Sequence, residues 1–447
     1  MGDLVVGFEG GGAGEGPLNW GQLQCWRTMV DVGSSLPMGQ VMPFAGGQSV
    51  EHLADIVRFW VGRYAGLRTV LRIDGDAVSQ VVHGTGEVVL RVVDAGDGEP
   101  AAVAAALLAR WKAEPFDYGR EWPIRVGAVT RDGRATHAVI VLCHLAADGA
   151  GIAVMGRELA ERDAGVGPGA GPYAAMQPVE LARHQATPAA QRQCAASLRF
   201  WEAQLRALPA RRLAASAGGG PAAGGEDGPA GGEDGPAGGG DGLAAGGSPY
   251  RRVVWESTGL HRGARAVAAR LGVDTAPVLL AAFALALRAV GGTDPVAAQV
   301  LVANRFRPGL ADVVTPLVQS GLAVLDVGGV GLAEAVARAV RATMRASKYA
   351  YYDPDARKAL IERVRRERGE PVELGVLWND RRMSDRPTGP ERTGLVQEEP
   401  MDFFNEQLMV NVEDVPGTVR MMVEVDTRHL APAGVRALLA GMEAAVS

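Results

Sequence analysis

Apolar and polar positions alternate along this chain with two periods, and the switches between them mark out its elements. Val50, Leu53, Ile56, Val57, Trp60 and Val61 recur at helical spacing and predict an amphipathic helix over 50–64. Further helices are predicted over 17–29 and 101–113. Short apolar runs predict strands at 3–8, 70–73, 78–82, 88–93, 124–130 and 135–142, with hairpin turns at Asp74-Gly75 and Arg131-Asp-Gly-Arg134. One long helix over 189–208 carries Leu198, Trp201 and Leu205 along a face. The alternation then resumes, with strands at 253–256, 295–302, 321–327, 374–378, 407–412 and 419–425. Helices at 260–271, 277–290, 332–348, 354–369 and 432–446 lie between and after them.

Both parts mix strands and helices, so the predicted class is α/β in two halves, 1–188 and 189–447. A chain of 447 residues also exceeds what one hydrophobic core usually serves. Residues 213–248 break the pattern. Gly224 to Ala230 repeats at once as Gly231 to Ala237, a seven-residue period without the apolar positions of a heptad. Such sequence cannot offset its ordering entropy, and a disordered Gly-rich loop is predicted at about 214–248.

One run singles out a site. Val139-Ile-Val-Leu-Cys143 is apolar throughout and stops at His144, and Asp148-Gly149 follows four positions later. A run of that length reads as a strand buried on both faces. Ile152, Val154, Met155 and Leu159 then recur at helical spacing, which puts His144 in a strand-to-helix loop. Ligand sites gather at such loops, and an imidazole titrating near neutrality can take or give a proton. Asp148 also suits the N-cap of the following helix, and Gly149 would relieve a crowded turn.

Composition removes several alternatives. A net charge of -6 leaves no polyanion footprint, so no nucleic acid is expected as a partner. Cys25, Cys143 and Cys194 are odd in number and lack metal-ligand spacing, which suggests a reducing compartment. No segment approaches 18 uninterrupted apolar residues and no basic region precedes an apolar stretch at the N-terminus, so no membrane contact and a cytoplasmic location are expected. The seven histidines show no zinc-type pairing, and no metal is expected. Gly10-Gly-Gly-Ala-Gly14 fits no dinucleotide register, since Glu15 and Pro17 occupy the positions needed. Gly-x-Ser-x-Gly is absent, which argues against a serine hydrolase.

Five stretches in order resemble the condensation domains of nonribosomal peptide synthetases, in the superfamily of chloramphenicol acetyltransferase. Cys143-His144-Leu-Ala-Ala-Asp148-Gly149 is similar to the H-H-x-x-x-D-G signature in all but its first histidine. Arg63-Tyr-Ala-Gly-Leu67-Arg68-Thr69 resembles R-H-E-x-L-R-T, and Gln22 with Trp26 falls where the opening motif has its glutamine and aromatic. Pro115-Phe-Asp117 with Pro123-Ile-Arg125 resembles P-F-D…P-L-x-R. Asn304-Arg305…Pro308-Gly-Leu310-Ala-Asp312-Val-Val resembles a later G-R-x-x-P-x-L-x-D-x-V-G run.

The resemblance implies two acetyltransferase-like α/β sandwich halves in a V with a central tunnel. It implies His144 as the catalytic residue, supported by Asp148, Gly149 and Arg305, with a salt bridge between Asp148 and Arg305. Cys143, Ser320, Trp378 and Asn379 would line the tunnel. No resident cofactor is implied. The phosphopantetheine arm of an acyl or peptidyl carrier protein would deliver the donor to a small-molecule acceptor. With no adenylation or carrier segment recognised in the sequence, the carrier would act in trans on a free-standing monomer. The basic helix over 357–368 could attract an acidic carrier protein, or be an ordinary solvated face.

Cys143 in place of the first histidine, and Thr315-Pro-Leu-Val-Gln-Ser320 in place of G-F-F-V-N-T, depart from the family pattern. Three function classes follow. They are an amide-forming condensation enzyme, an ester-forming acyltransferase of the same fold, and a non-catalytic recruitment module that binds a carrier protein or partner enzyme.

Overall fold

The computed structural model describes residues 2–210, 213, 248–382 and 388–447; the segment 214–247, expected as a Gly-rich loop, lies outside the described residues. The chain divides into two compact units. The first comprises 1–199, 302–319 and 350–358, and the second 200–301, 320–349 and 359–447. The division therefore falls inside the helix Pro188–Ala207 and not at 188/189. A continuous helix carries no compositional break for sequence reasoning to find. The allegiance of 302–319 and 350–358 was equally invisible, because it is set by packing.

In the first unit a five-stranded sheet runs in the order Leu4–Glu9, Thr85–Asp94, Ile124–Arg131, Arg134–Leu142, Met38–Gln48. One pair, Thr85–Asp94 with Ile124–Arg131, is parallel. The strand ahead of His144 is antiparallel to both its neighbours. The site thus owes nothing to a parallel sheet; it sits at the end of a strand buried on both faces. Ala138, Ile140 and Leu142 enter one core with Leu53, Val57 and Trp60 of helix Val50–Arg63. Val139, Val141 and Cys143 enter another with Leu107 and Trp111 of helix Pro100–Ala113. Side chains alternate across a strand, so two covered faces require the uninterrupted apolar run. The hairpin before it turns on Asp132 and Gly133, both at positive φ (52° and 73°), as a two-residue turn demands.

Two strands of the first unit, Met38–Gln48 and Gly14–Pro17, escaped prediction. Met38–Gln48 contains Pro43, Gly46 and Gly47, and its register shifts between Pro43 and Gln48. It lies at the sheet edge, where a missing N–H is tolerated. Gly14–Pro17 pairs with Ala77–Val82 in a small three-stranded sheet completed by Thr69–Asp74.

The second unit holds a seven-stranded sheet in the order Gln319–Leu325, Val296–Val302, Val376–Asp380, Leu408–Val415, Thr418–Asp426, Tyr250–Ser257, Thr393–Met401. Its last strand was not expected, since Leu395 and Val396 are exposed and Pro400 interrupts the pattern at an edge. Helix Thr275–Ala289 is buried nearly all round, through Val278, Leu279, Phe283 and Leu287, as its apolar composition foretold. Among the described residues no single helix is long and apolar enough to cross a membrane.

Candidate active site

The arginine-bearing motifs of the first unit act as staples. Arg63 Nε donates to Glu158 at 2.7 Å, and its two Nη atoms donate to the carbonyls of Gly171 and Pro168 at 2.7 and 2.8 Å. The Tyr64 hydroxyl donates to the same glutamate oxygen at 2.6 Å, and burial with that carboxylate pushes the phenol pKa up. Arg125 gathers Glu121 and the carbonyls of Trp111, Glu114 and Pro115, with its guanidinium 4.0 Å over the Phe116 ring.

Arg68 is fully buried and donates to the carbonyls of Val61, His83 and Gly11; desolvation lowers its pKa. A Cβ on Gly10 would stand 2.4 Å from Gly62 O and 2.6 Å from Arg68 Nε. The glycine run that mimics a phosphate loop therefore exists, at this position, to let an arginine and a helix end approach the backbone.

Asp148 is spent in the same way. It caps helix Gly149–Asp163 through Gly151 N–H at 2.8 Å, accepts from Leu317 N–H at 3.0 Å, and forms an ion pair with Arg305. Its side chain is 2% exposed and that of Arg305 13%. Arg305 also donates to the carbonyls of Val313 and Thr315. Both readings of the aspartate, cap and ion-pair partner, hold at once, and its oxygens have protein donors on each side.

The segment 302–319 is pinned elsewhere too. Asn19 Nδ2 donates to Thr315 Oγ1 at 3.0 Å, and the Tyr173 hydroxyl donates to Asp312 O at 2.8 Å while accepting from Val314 N–H at 3.0 Å. Asn304 adopts φ 60° and donates to the carbonyls of Leu317 and Ala350. Asparagine tolerates that left-handed conformation better than most residues. A Cβ on Gly21 would come within 1.9 Å of Pro316 O, so a side chain there is excluded.

His144 differs from all these residues. Its ring is half-buried, and its Nδ1 is buried without a hydrogen-bond partner among the described residues. It is the titratable group of the motif that no staple consumes. Its backbone N–H reaches the carbonyl of Ser35 at 3.4 Å.

Cys143 lies in the core, 1% exposed, with burial pushing its thiol pKa up to about 12. A void of about 20 Å³ beside it is bordered by Gln22, Thr69, Tyr118 and Leu145. The expectation that Cys143 lines an open tunnel is corrected: its side chain follows the strand alternation inward and behaves as a small neutral hydrophobe. Gly149 is exposed, has no positive φ, and a Cβ on it would meet nothing within 4 Å, so the crowded turn expected there is absent.

Ser320, Trp378 and Asn379 belong to the second unit. Ser320 is buried in its strand, and Trp378 is 4% exposed with its ring 4.9 Å from Phe283, a core contact. Asn379 Nδ2 donates to Asn411 Oδ1 at 2.9 Å. The first unit thus gathers Cys143, His144, Asp148, Gly149 and Arg305. Sequence reasoning missed Gly21, Ser35, Tyr118, Glu158 and Tyr173, which carry no motif spacing of their own. Among the described residues no three His, Cys, Asp or Glu side chains gather to hold a metal ion.

Residues 22–222 match the family model of the condensation domain. Solved structures extend the likeness over nearly the whole chain. One, from condensation domain-mediated chain release from the enacyloxin polyketide synthase, is 18% identical with a TM-score of 0.69, covering 98% of this chain and 83% of that one. The fold is that of a condensation domain. The condensation domain of the monacolin K polyketide synthase MokA is 15% identical with a TM-score of 0.70, over 97% of this chain and 96% of that one. The X-domain from teicoplanin biosynthesis is 17% identical with a TM-score of 0.66, over 96% and 94%. A comparison with curated protein sequences finds no match. The family resemblance and the chloramphenicol-acetyltransferase-like α/β fold read from the motifs are borne out.

Proposed function

We propose that this condensation domain transfers an acyl or aminoacyl group from a carrier-protein thioester to an amine or hydroxyl acceptor in natural-product biosynthesis. The observation that carries the reading is the chemical inventory of the motif. Asp148 is bonded to Arg305 and to the backbone, and both Nη atoms of Arg305 are taken up although its Nε is unpartnered, whereas His144 keeps a ring nitrogen that no structural bond uses among the described residues.

In the proposed step the acceptor nitrogen or oxygen attacks the thioester carbonyl while His144 holds or accepts its proton. Collapse of the tetrahedral adduct breaks the carbon–sulfur bond. The phosphopantetheine sulfur leaves as a thiol after taking up the proton. General-base help of this kind is worth ~10²–10⁴ in rate. The arm belongs to the substrate, and the carrier would act in trans.

A second reading, a recruitment module, draws support from the likeness to the teicoplanin X-domain, which has also been solved in complex with OxyB, and from Cys143 in the signature. Incubation with an acyl-loaded carrier and panels of amines and alcohols, read by intact-mass spectrometry, separates the two. Transfer abolished by His144→Ala supports the acyltransferase. Carrier binding without transfer to any acceptor favours the module.

A further inference from the structure

We infer that Ser35, held by Tyr118, is a positioning residue for His144; the inference rests on the acyltransferase reading for its effect on rate. Ser35 sits in the loop between helix Trp20–Val32 and strand Met38–Gln48, and it is buried. Its carbonyl receives two consecutive residues of the motif, His144 through its N–H at 3.4 Å and Cys143 through Sγ at 3.9 Å. Its hydroxyl is held from the other side, 2.9 Å from the Tyr118 hydroxyl and 3.2 Å from the Phe116 N–H it accepts. Tyr118 is itself fixed, edge-on to Trp26 with ring centroids 5.3 Å apart.

The loop also stores strain. Leu36, the next residue, adopts φ 44°, a left-handed conformation that a γ-branched side chain without local hydrogen bonding seldom takes. The preceding turn is closed by Gly33 at φ 61° and by Ser34 N–H donating to Met29 O at 3.1 Å. A strained peptide persists only where its surroundings over-determine it. Here the surroundings are the bond from Leu36 N–H to Ser34 Oγ at 3.2 Å, the Tyr118 and Phe116 bonds to Ser35 on one side, and the Cys143-His144 dipeptide on the other. Releasing the hydroxyl anchor lets the Ser35 carbonyl relax, and the first group that follows it is the His144 backbone. Because Cys143 supplies a thiol donor to that carbonyl, the clamp also gives the cysteine at the first signature position a use.

The test compares Ser35→Ala, Tyr118→Phe and the double variant in the full chain. The readout independent of activity is the Cε1–H resonance of His144 in ¹³C-histidine-labelled protein, assigned by its loss in His144→Ala. Both single variants are expected to shift or broaden that resonance while leaving the other six histidine signals in place. The double variant should match Ser35→Ala, since that substitution already removes the Tyr118 bond together with the Phe116 one. Where acyl transfer is measurable, kcat is expected to fall roughly ten- to a hundredfold at unchanged KM, the scale of a small misplacement of a catalytic group. A His144 resonance unmoved in both variants overturns the proposal. If wild-type protein transfers no acyl group, the acyltransferase reading fails on its own while the resonance still decides the clamp.

Discussion

Substituting Asp148 by alanine tests how the motif is divided between structure and chemistry. The change removes an N-cap, typically about 1 kcal/mol. It also leaves Arg305, 13% exposed, without its carboxylate, and breaking one side of a buried pair costs roughly 3–5 kcal/mol. Leu317 N–H loses its acceptor as well. Against a typical domain stability of about 5–15 kcal/mol, a loss of this size threatens the first unit. At about 2–4 °C per kcal/mol for a unit of some two hundred residues, its transition is expected to fall by roughly 10 °C.

Two units preclude a single global unfolding free energy, so the local readout is hydrogen exchange. Peptides spanning 302–319 should lose protection in Asp148→Ala, while strands of the second sheet keep theirs. Asp148→Asn, which keeps a capping oxygen, should recover part of the loss. Double substitution of Asp148 and Arg305 should cost less than the sum of the two singles. An Asp148→Ala protein with wild-type melting and unchanged exchange at 302–319 would refute the assignment of the carboxylate to structure.

The remaining predictions concern single positions. His144→Ala should lose ~10²–10⁴ in transfer rate with melting unaltered; equal losses of fold and activity would remove it from the chemistry. Gly21→Ala drives a Cβ into Pro316 O. It should cost about 1–3 kcal/mol as overpacking, visible as increased exchange at 312–319. Gly149→Ala should melt like the wild type or slightly higher, so any fall in turnover would mark substrate approaching that backbone. The Cys143 thiol is held protonated in the fold by burial, with its pKa raised from 9.0 to about 12. Its contribution is therefore complete below pH 9 and is lost as pH rises from 9 toward 12, where the unfolded thiol ionises first. Melting of Cys143→Ala should decline less steeply than wild type over that window.

How much of this was legible in the sequence differs by element. The helix Val50–Arg63 and the strand ending at Leu142 announced themselves, because burial of one stripe leaves a periodic trace and burial of both faces an uninterrupted apolar run. The edge strands Met38–Gln48 and Thr393–Met401 did not, because edges tolerate proline and half-exposed residues. At the site, His144 and Asp148 were legible through their local pattern, and Arg305 only through the family resemblance. Trp378 was misplaced because an aromatic at a strand end reads alike whether it lines a channel or, as here, packs on Phe283. Ser35 and Tyr118 were illegible because they act through a carbonyl and a hydroxyl that leave no residue-type signature.

The stretch 302–319 leaves one strand of the second sheet, joins the first unit, and returns as the next strand. A gene fragment ending near residue 199 would therefore encode a first unit lacking Arg305, Thr315 and Leu317, with Asp148 as an orphan charge in its interior. The two units cannot be exchanged between homologues by a single crossover without separating those partners. Recombination that respects this chain must swap the aspartate loop and the arginine segment together.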